Sequence, residues 1–263
     1  MILRGKMMFD KSRLNSEDTL CPLSYQTFQH YFSKFFTANS VVQISITSFG
    51  TKMSITVDVY SDLSCPWCYV GKRRLDKAIQ QYTEAGITVH WHPYIIDKNT
   101  AEMGEDYMAY NTRRWGGDGW TRSLRRAGQQ DGLGFKNWKT WPNSLHGHRL
   151  IHLAGMQKGP EGQGKAKDLL LRMIYEDGKN VSDTGTLIEA AKELGLEGAE
   201  DYLKSSSDVD LVLSQDSFAK SQLRISGVPY FVISSDNRDK KTISLSGAQG
   251  TEQFLAAFSH MTK

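Results

Sequence analysis

The sequence predicts an α/β protein in which a strand–helix–strand unit carries two cysteines at its first turn and a long helical segment interrupts the sheet. Three observations predict it. Ile55, Val57 and Val59 alternate with Thr56, Asp58 and Tyr60, the period of two expected of a strand. Leu75, Ala78, Ile79 and Tyr82 then fall at i, i+3, i+4 and i+7, one face of a helix. Ile87, Val89 and Trp91 alternate with Thr88, His90 and His92 up to Pro93, a second strand, and this order of elements points to a parallel pair.

Taken in order, residues 1–52 come first, with a local aromatic cluster (Tyr25, Phe28, Tyr31, Phe32, Phe35, Phe36) and no sustained period. They read as an organelle-targeting extension, a disordered or docking tail, or translated sequence ahead of a start at Met53. The last is favoured because Met53 stands directly before the first strand, and Asp10, Glu17 and Asp18 argue against an acid-poor transit peptide. Residues 53–97 hold the strand–helix–strand unit. Residues 98–214 read as a helical insertion: Leu169, Leu170, Met173 and Ile174 form one stripe, and Leu187, Ile188, Ala191 and Leu194 form another ending at Gly195, a natural C′ residue. Residues 215–263 return to strand signals, with an apolar run from Val228 to Ile233, Ile243 and Leu245 flanking Ser244 as the partner of a hairpin, and a last helical stripe at Phe254, Leu255 and Phe258.

Composition narrows the function classes. At 263 residues with 39% hydrophobic content, the chain can bury a sizeable core without covalent staples. Its cysteines are Cys21, Cys65 and Cys68, which excludes the disulfide framework of small secreted domains and favours a reducing compartment. The net charge of +3 resides entirely in residues 1–52, so the body of the protein is expected to bind neither nucleic acid nor an anionic membrane. No stretch approaches the roughly 20 apolar residues that span a bilayer, and no secretory signal pattern is visible. The expected location is cytoplasmic, or organellar if residues 1–52 are a genuine extension.

The chemistry concentrates in SDLSCPWCYVGKRRLDK, Ser61 to Lys77. A dithiol that opens and closes needs its sulfurs about one helical turn apart, one exposed to substrate and one behind it. Pro66 suits the first helical position, which puts Cys65 at the cap and Cys68 inside the first turn. The free N–H groups and the positive end of the helix dipole there favour a thiolate at Cys65, below the free value of about 8.5. Cys65 is thus the candidate nucleophile. Lys72, Arg73, Arg74 and Lys77 read mostly as a solvated helix face. Two other readings stay open at this point. Zinc would need two further ligands, and Cys21 lies in the N-terminal segment while His90, His92, His146, His148 and His152 make no second tight pair. Two inert buried thiols would be oddly placed between a strand and a capped helix.

Two further motifs stand out. In GVPYFVI, Gly227 to Ile233, a proline opens an apolar strand, and a cis Val228–Pro229 bond would leave the Val228 backbone free to bind an extended segment. WGGDGW, Trp115 to Trp120, lacks the preceding strand and the lysine of a phosphate loop and reads as a flexible loop.

At these residues the chain resembles the thioredoxin superfamily, and within it the DsbA-like branch of the FrnE type, which is similar in turn to 2-hydroxychromene-2-carboxylate isomerases and kappa-class glutathione transferases. The resemblance runs from about Ser54 to the C-terminus and rests on VDVYSDLSCPWCYVGKRRL (Val57–Leu75), HPYIID (His92–Asp97), PNSLHGHRL (Pro142–Leu150), VSD (Val181–Asp183), GVPYFVI and SGAQ (Ser246–Gln249). It implies a thioredoxin fold with an inserted all-helical domain, Cys65 as attacking and Cys68 as resolving thiol, and Pro229 as a cis-proline facing them, with Pro66, Trp67, Val228 and Pro229 around the substrate. No cofactor is required and no metal site is expected; glutathione is a candidate co-substrate, and protein or low-molecular-weight thiols and disulfides are the expected partners. The chain departs from the family pattern at Ser144 and Gly147, where threonine and alanine are usual; a helical glycine costs up to about 1 kcal/mol relative to alanine.

Three function classes compete. The first is a thiol–disulfide oxidoreductase, favoured by the complete CPWC. The second is a glutathione-dependent isomerase or transferase, in whose members, the resemblance suggests, a serine holds the nucleophile's place. The third is a binding or redox-sensing module regulated by closure of Cys65–Cys68.

Overall fold

The computed structural model describes residues 53–237 and 239–263, so the readings of residues 1–52 lie outside the described residues. Strands β1 (Ser54–Ser61), β2 (Gly86–Pro93), β5 (Tyr230–Ser235) and β6 (Ile243–Ser246) form one sheet in the order β2-β1-β5-β6. β1 pairs with β2 in parallel, Ile55 opposite Ile87 and Val59 opposite Trp91, and with β5 antiparallel, Val57 opposite Ile233. The hairpin β5–β6 is antiparallel as the spacing predicts. β1 is central, and its alternating Ile55, Val57 and Val59 are wholly buried, which is why that strand is the clearest in the sequence.

Helix α1 (Pro66–Gln81) follows β1 and makes the crossover to the parallel strand β2, with Leu75 and Ala78 buried. The C-terminal helix α8 (Thr251–Thr262) packs beside it: Tyr82 meets Phe258 at 5.5 Å between ring centroids, and Phe254 meets Phe231 of β5 edge-on at 4.8 Å. These apolar contacts seat α1 on the sheet and hold its first turn in place.

Between β2 and β5 lie β3 (Glu105–Asp106), α2 (Tyr107–Trp115), α3 (Thr121–Gln130), β4 (Thr140–Trp141), α4 (Leu145–Tyr175), α5 (Thr184–Glu193), α6 (Ala199–Lys204) and α7 (Val209–Ser221). Two details of the helical insertion go beyond the sequence pattern. The insertion is not purely helical, because β3 and β4 form a short antiparallel ladder, Glu105 opposite Trp141. The boundary expected at residue 214 falls inside α7, whose buried face runs on through Val212, Asp216 and Ala219. α4 is broken at Gly159, where φ is 63°, just ahead of Pro160, and α5 ends with Gly195 in the left-handed region, as its C′ position requires.

Two residues explain how α4 meets its neighbours. A side chain at Gly147 would run into Leu63 Cδ1, so the absence of a Cβ lets α4 approach the loop that leads to Cys65. The helix forms in spite of the glycine because this contact favours it. Arg149 is wholly buried and donates to the backbone carbonyls of Tyr202, Leu203, Ser205 and Ser207, lying 4.9 Å over the Tyr202 ring. It ties α4 to α6 and to the turn before α7.

Candidate active site

Cys65 is the N-cap of α1, with extended φ and ψ of −89° and 108°, and Pro66 occupies the first helical turn. The Cys68 N–H donates to the Cys65 carbonyl at 3.0 Å, which fixes the two residues in one turn. Both are free thiols and both are largely buried, Cys68 the more so at 1% exposure. The Val228–Pro229 bond is cis, and the Cys65 Sγ–H donates to the Val228 carbonyl at 3.6 Å, so residues 163 apart in the chain meet at the Cys65 sulfur. A Cβ on Gly71 would lie 2.8 Å from Pro229 Cγ, so glycine at that position of α1 is what lets the helix sit against the proline.

Of the sequence-derived site residues, Cys65, Pro66, Trp67 and Val228 line one cleft of about 800 Å³. Pro229 stands beside Val228 and packs on α1, while Cys68 lies behind Cys65. The rest of the wall comes from Tyr94 and Ile96 after β2, from Trp141, and from the WGGDGW loop between α2 and α3. That loop has Gly116 and Gly117 at φ of 72° and 138°, which a side chain would strain, and it presents Trp115 and Trp120 to the cleft. The expectation of a bare flexible loop is thereby extended: it is a wall of the site.

Behind the dithiol lies a group that sequence reasoning missed. Asp62, three residues before Cys65 and wholly buried, accepts from the Ser64 N–H at 3.2 Å, the Ser64 hydroxyl at 2.7 Å and the Ile96 N–H at 2.7 Å. Burial pushes its carboxyl up, but His148, the Ile96 N–H and Ser144 outweigh it and hold the pKa at about 2. His148 Nε2 stands 3.5 Å from Asp62, and burial pushes its pKa down against the opposing pull of that carboxylate. Lys167 of α4 is 1% exposed and lies 5.8 Å over the Trp91 ring. Burial depresses its ammonium to about 8, against the opposing pull of Cys68, Asp62 and Cys65. Cys68 itself is pushed well above the ordinary thiol range, by burial first and by Cys65 next, with the Lys167 charge acting in the opposite sense. The Tyr175 hydroxyl donates to the Leu63 carbonyl at 3.0 Å and braces the same loop.

A signal for Lys167 was available: it stands three residues before Leu170 and seven before Ile174, on the apolar face of its helix. The solvated reading of the basic run after Cys68 is corrected for two of its members. Lys72 is buried and pairs with Asp76 at 2.7 Å and Asp168 at 3.2 Å, and Arg74 pairs with Asp131 at 2.6 Å and donates to the Ala248 carbonyl at 2.7 Å. Both anchor α1 and neither lines the cleft. Among the described residues no group of three or more His, Cys, Asp or Glu side chains could hold a metal ion. Among them, too, no helix is long and apolar enough to cross a membrane.

Comparison with known proteins agrees with this architecture. A probable DsbA oxidoreductase from Streptomyces coelicolor superposes with a TM-score of 0.67 at 27% identity, covering 79% of this chain and 89% of its own. The cytosolic disulfide reductase DsbM from Pseudomonas aeruginosa gives 0.57 at 19% identity, covering 78% and 97%. A 2-hydroxychromene-2-carboxylate isomerase gives 0.55 at 16%, covering 78% and 94%. The last two likenesses are of fold alone. Residues 56–259 match the model of the DSBA-like thioredoxin domain, a span that takes in β1, the dithiol, the insertion and the Val228–Pro229 strand, and the chain therefore belongs to that family.

Proposed function

We propose that the protein is a thiol–disulfide oxidoreductase that cycles a Cys65–Cys68 disulfide with protein or low-molecular-weight thiols. The observation that carries the reading is the placement of Cys65 Sγ at the helix start, on the cleft and against the Val228 carbonyl, with Cys68 one turn behind it. Cys65 attacks one sulfur of a substrate disulfide and the other sulfur leaves as a thiolate, forming a mixed disulfide. Cys68 then loses its proton and attacks Cys65 Sγ, which closes the Cys65–Cys68 disulfide and releases the second substrate thiol. Two electrons pass from the dithiol to the substrate, and an external thiol such as glutathione restores the dithiol; the reverse sequence donates a disulfide. No cofactor takes part.

The roles follow from the surroundings. Cys68 is shielded and held protonated by burial, so it waits until the mixed disulfide is next to it, and the Lys167 charge eases its ionisation. Pro66, Trp67, Val228 and Pro229 are proposed to hold the substrate. A cytoplasmic location is proposed with the activity, the same architecture serving a cytosolic reductase in P. aeruginosa. Likeness to an isomerase supports a second reading, a glutathione-dependent isomerase or transferase. The presence of Cys68 behind Cys65 favours the first, since an activator of bound glutathione has no use for a resolving thiol.

The test is equilibration of the purified protein with graded ratios of reduced to oxidised glutathione, counting free thiols. A reversible two-electron transition is expected, and Cys68→Ser should accumulate a mixed disulfide with substrate. With no transition and no trapped adduct, the isomerase reading takes its place.

A further inference from the structure

The cleft in front of Cys65 is chemically one-sided. Its walls are aromatic, with Trp67, Tyr94, Trp115, Trp120 and Trp141 around the thiol. Its one charged side chain is Arg114, whose guanidinium lies 5.2 Å over the Trp115 ring at the lip. The acid of the same loop, Asp118, is outside the lining and accepts the Tyr107 hydroxyl at 2.9 Å. An anionic ligand therefore meets a cation and no carboxylate at this wall.

A second observation is independent of the first. Trp141 is 2% exposed and lines the cleft, yet its indole N–H is buried without an acceptor. Its neighbours are satisfied: the Trp120 N–H donates to Asn111 Oδ1 at 2.8 Å and the Trp138 N–H to the Thr140 carbonyl at 3.2 Å. A buried donor left unpaired costs stability, and this one belongs to a residue of the cleft wall. The cleft volume of about 800 Å³ also lies within the range of sites that enclose a small molecule.

We infer that the cleft selects a small aromatic disulfide bearing a carboxylate or similar anionic group, seated among the aromatic walls with Arg114 on its charge. The inference rests on the oxidoreductase reading and names its substrate class. The segment Arg114–Trp120 is the specificity element, since it supplies the cation, two of the aromatic walls and the glycine turn that sets them. Reaction follows the steps already given. Cys65 takes one aryl thiol as a mixed disulfide and expels the other as an arylthiolate. Cys68, having released its proton to water, displaces the second arylthiolate and closes the ring.

The experiment is a single-turnover reaction of the reduced full chain with three disulfides: dithiobis(nitrobenzoate), aromatic and anionic; dithiodipyridine, aromatic and neutral; and hydroxyethyl disulfide, aliphatic and neutral. Each second-order rate constant is divided by that of free dithiothreitol with the same disulfide, which removes intrinsic leaving-group reactivity. The aromatic pair should exceed the aliphatic one by about tenfold after this correction. Trp120→Ala, and separately Trp115→Ala at the half-exposed lip, should collapse that ratio toward unity, so a folding defect in one variant leaves the other to decide. Arg114→Met should lower the anionic-to-neutral aromatic ratio by about threefold. Equal corrected rates for all three disulfides in the wild type, or ratios unmoved by the variants, overturn the inference while leaving the oxidoreductase reading intact. So does a linear peptide disulfide that outruns the aromatic ones. A reduced chain that releases thiol from none of them sinks the oxidoreductase reading instead.

Discussion

Helix α4 buries two cations, and the protein treats them in opposite ways. Arg149 is surrounded by acceptors: four backbone carbonyls and His146 Nδ1 at 2.9 Å take its guanidinium hydrogens. Lys167, on a later turn, is almost as buried but lines a small cavity beside Trp91 and His148; it makes no hydrogen bond or ion pair among the described residues and feels two thiols, the Asp62 carboxylate, the Lys72 ammonium and an indole ring. A guanidinium with every donor met is a clamp, rigid and electrically quiet. An ammonium with none met remains strained by burial, and its charge is available to nearby groups that ionise. The contrast separates a cation that clamps backbone carbonyls from one set beside the two thiols.

The largest expected effect tests the clamp. Arg149→Met leaves four buried carbonyls without donors and should cost about 3–5 kcal/mol in urea unfolding. A loss under about 1 kcal/mol would mean that the turn between α6 and α7 stands without it.

Lys167→Met should act in the other direction. The folded pKa of about 8 lies below the unfolded value of about 10.4, so the unfolded chain binds more protons between those two pH values. Wild-type stability thus rises with pH across that window, and the lysine penalises folding below it. In a Cys68→Ser background, which removes the opposing thiol, Lys167→Met should gain up to about 3 kcal/mol at pH 7 and flatten the slope above pH 8. With Cys68 intact, the same change should move the pH profile of mixed-disulfide resolution upward, because the charge that eases Cys68 ionisation is gone. A methionine variant with the wild-type profile in both measurements would erase the distinction between the two cations.

A smaller effect sharpens where α4 touches the site. Gly147→Ala gains up to about 1 kcal/mol of helix propensity but forces a methyl group into Leu63, and overpacking of this kind costs about 1–3 kcal/mol. The expected net loss is about 1 kcal/mol in thermal unfolding, with slower alkylation of Cys65 as the loop behind it shifts. Unchanged stability and alkylation would show that Leu63 yields freely.

Much of this was legible in the chain. The alternation at Ile55–Val59, the helical stripe after Cys68 and Pro66 at a helix start are local signals, and local geometry satisfied them. The charged group behind the dithiol was not legible, because Asp62 stands just before Cys65 while His148 and Lys167 lie on α4, far along the chain, and each is unremarkable where it stands. Lys167 sits in a polar run, and only its register with Leu170 and Ile174 betrays it. The basic residues after Cys68 misled for a related reason: Lys72 and Arg74 pair with Asp168 and Asp131, whose nearness depends on how the insertion folds back. The short β3–β4 ladder is too brief to carry a period at all.

The meeting of Cys65 with the Val228 carbonyl across 163 residues bears on how the protein is made. At a synthesis rate of about 5–20 residues per second, the two cysteines leave the ribosome roughly 10–30 s before the segment that completes their site. During that interval the nascent chain carries thiols without the substrate-holding strand, and a chain terminated before Gly227 never acquires it. On the proposed activity, the carbonyl that meets the attacking sulfur is therefore among the last parts of the site to be made.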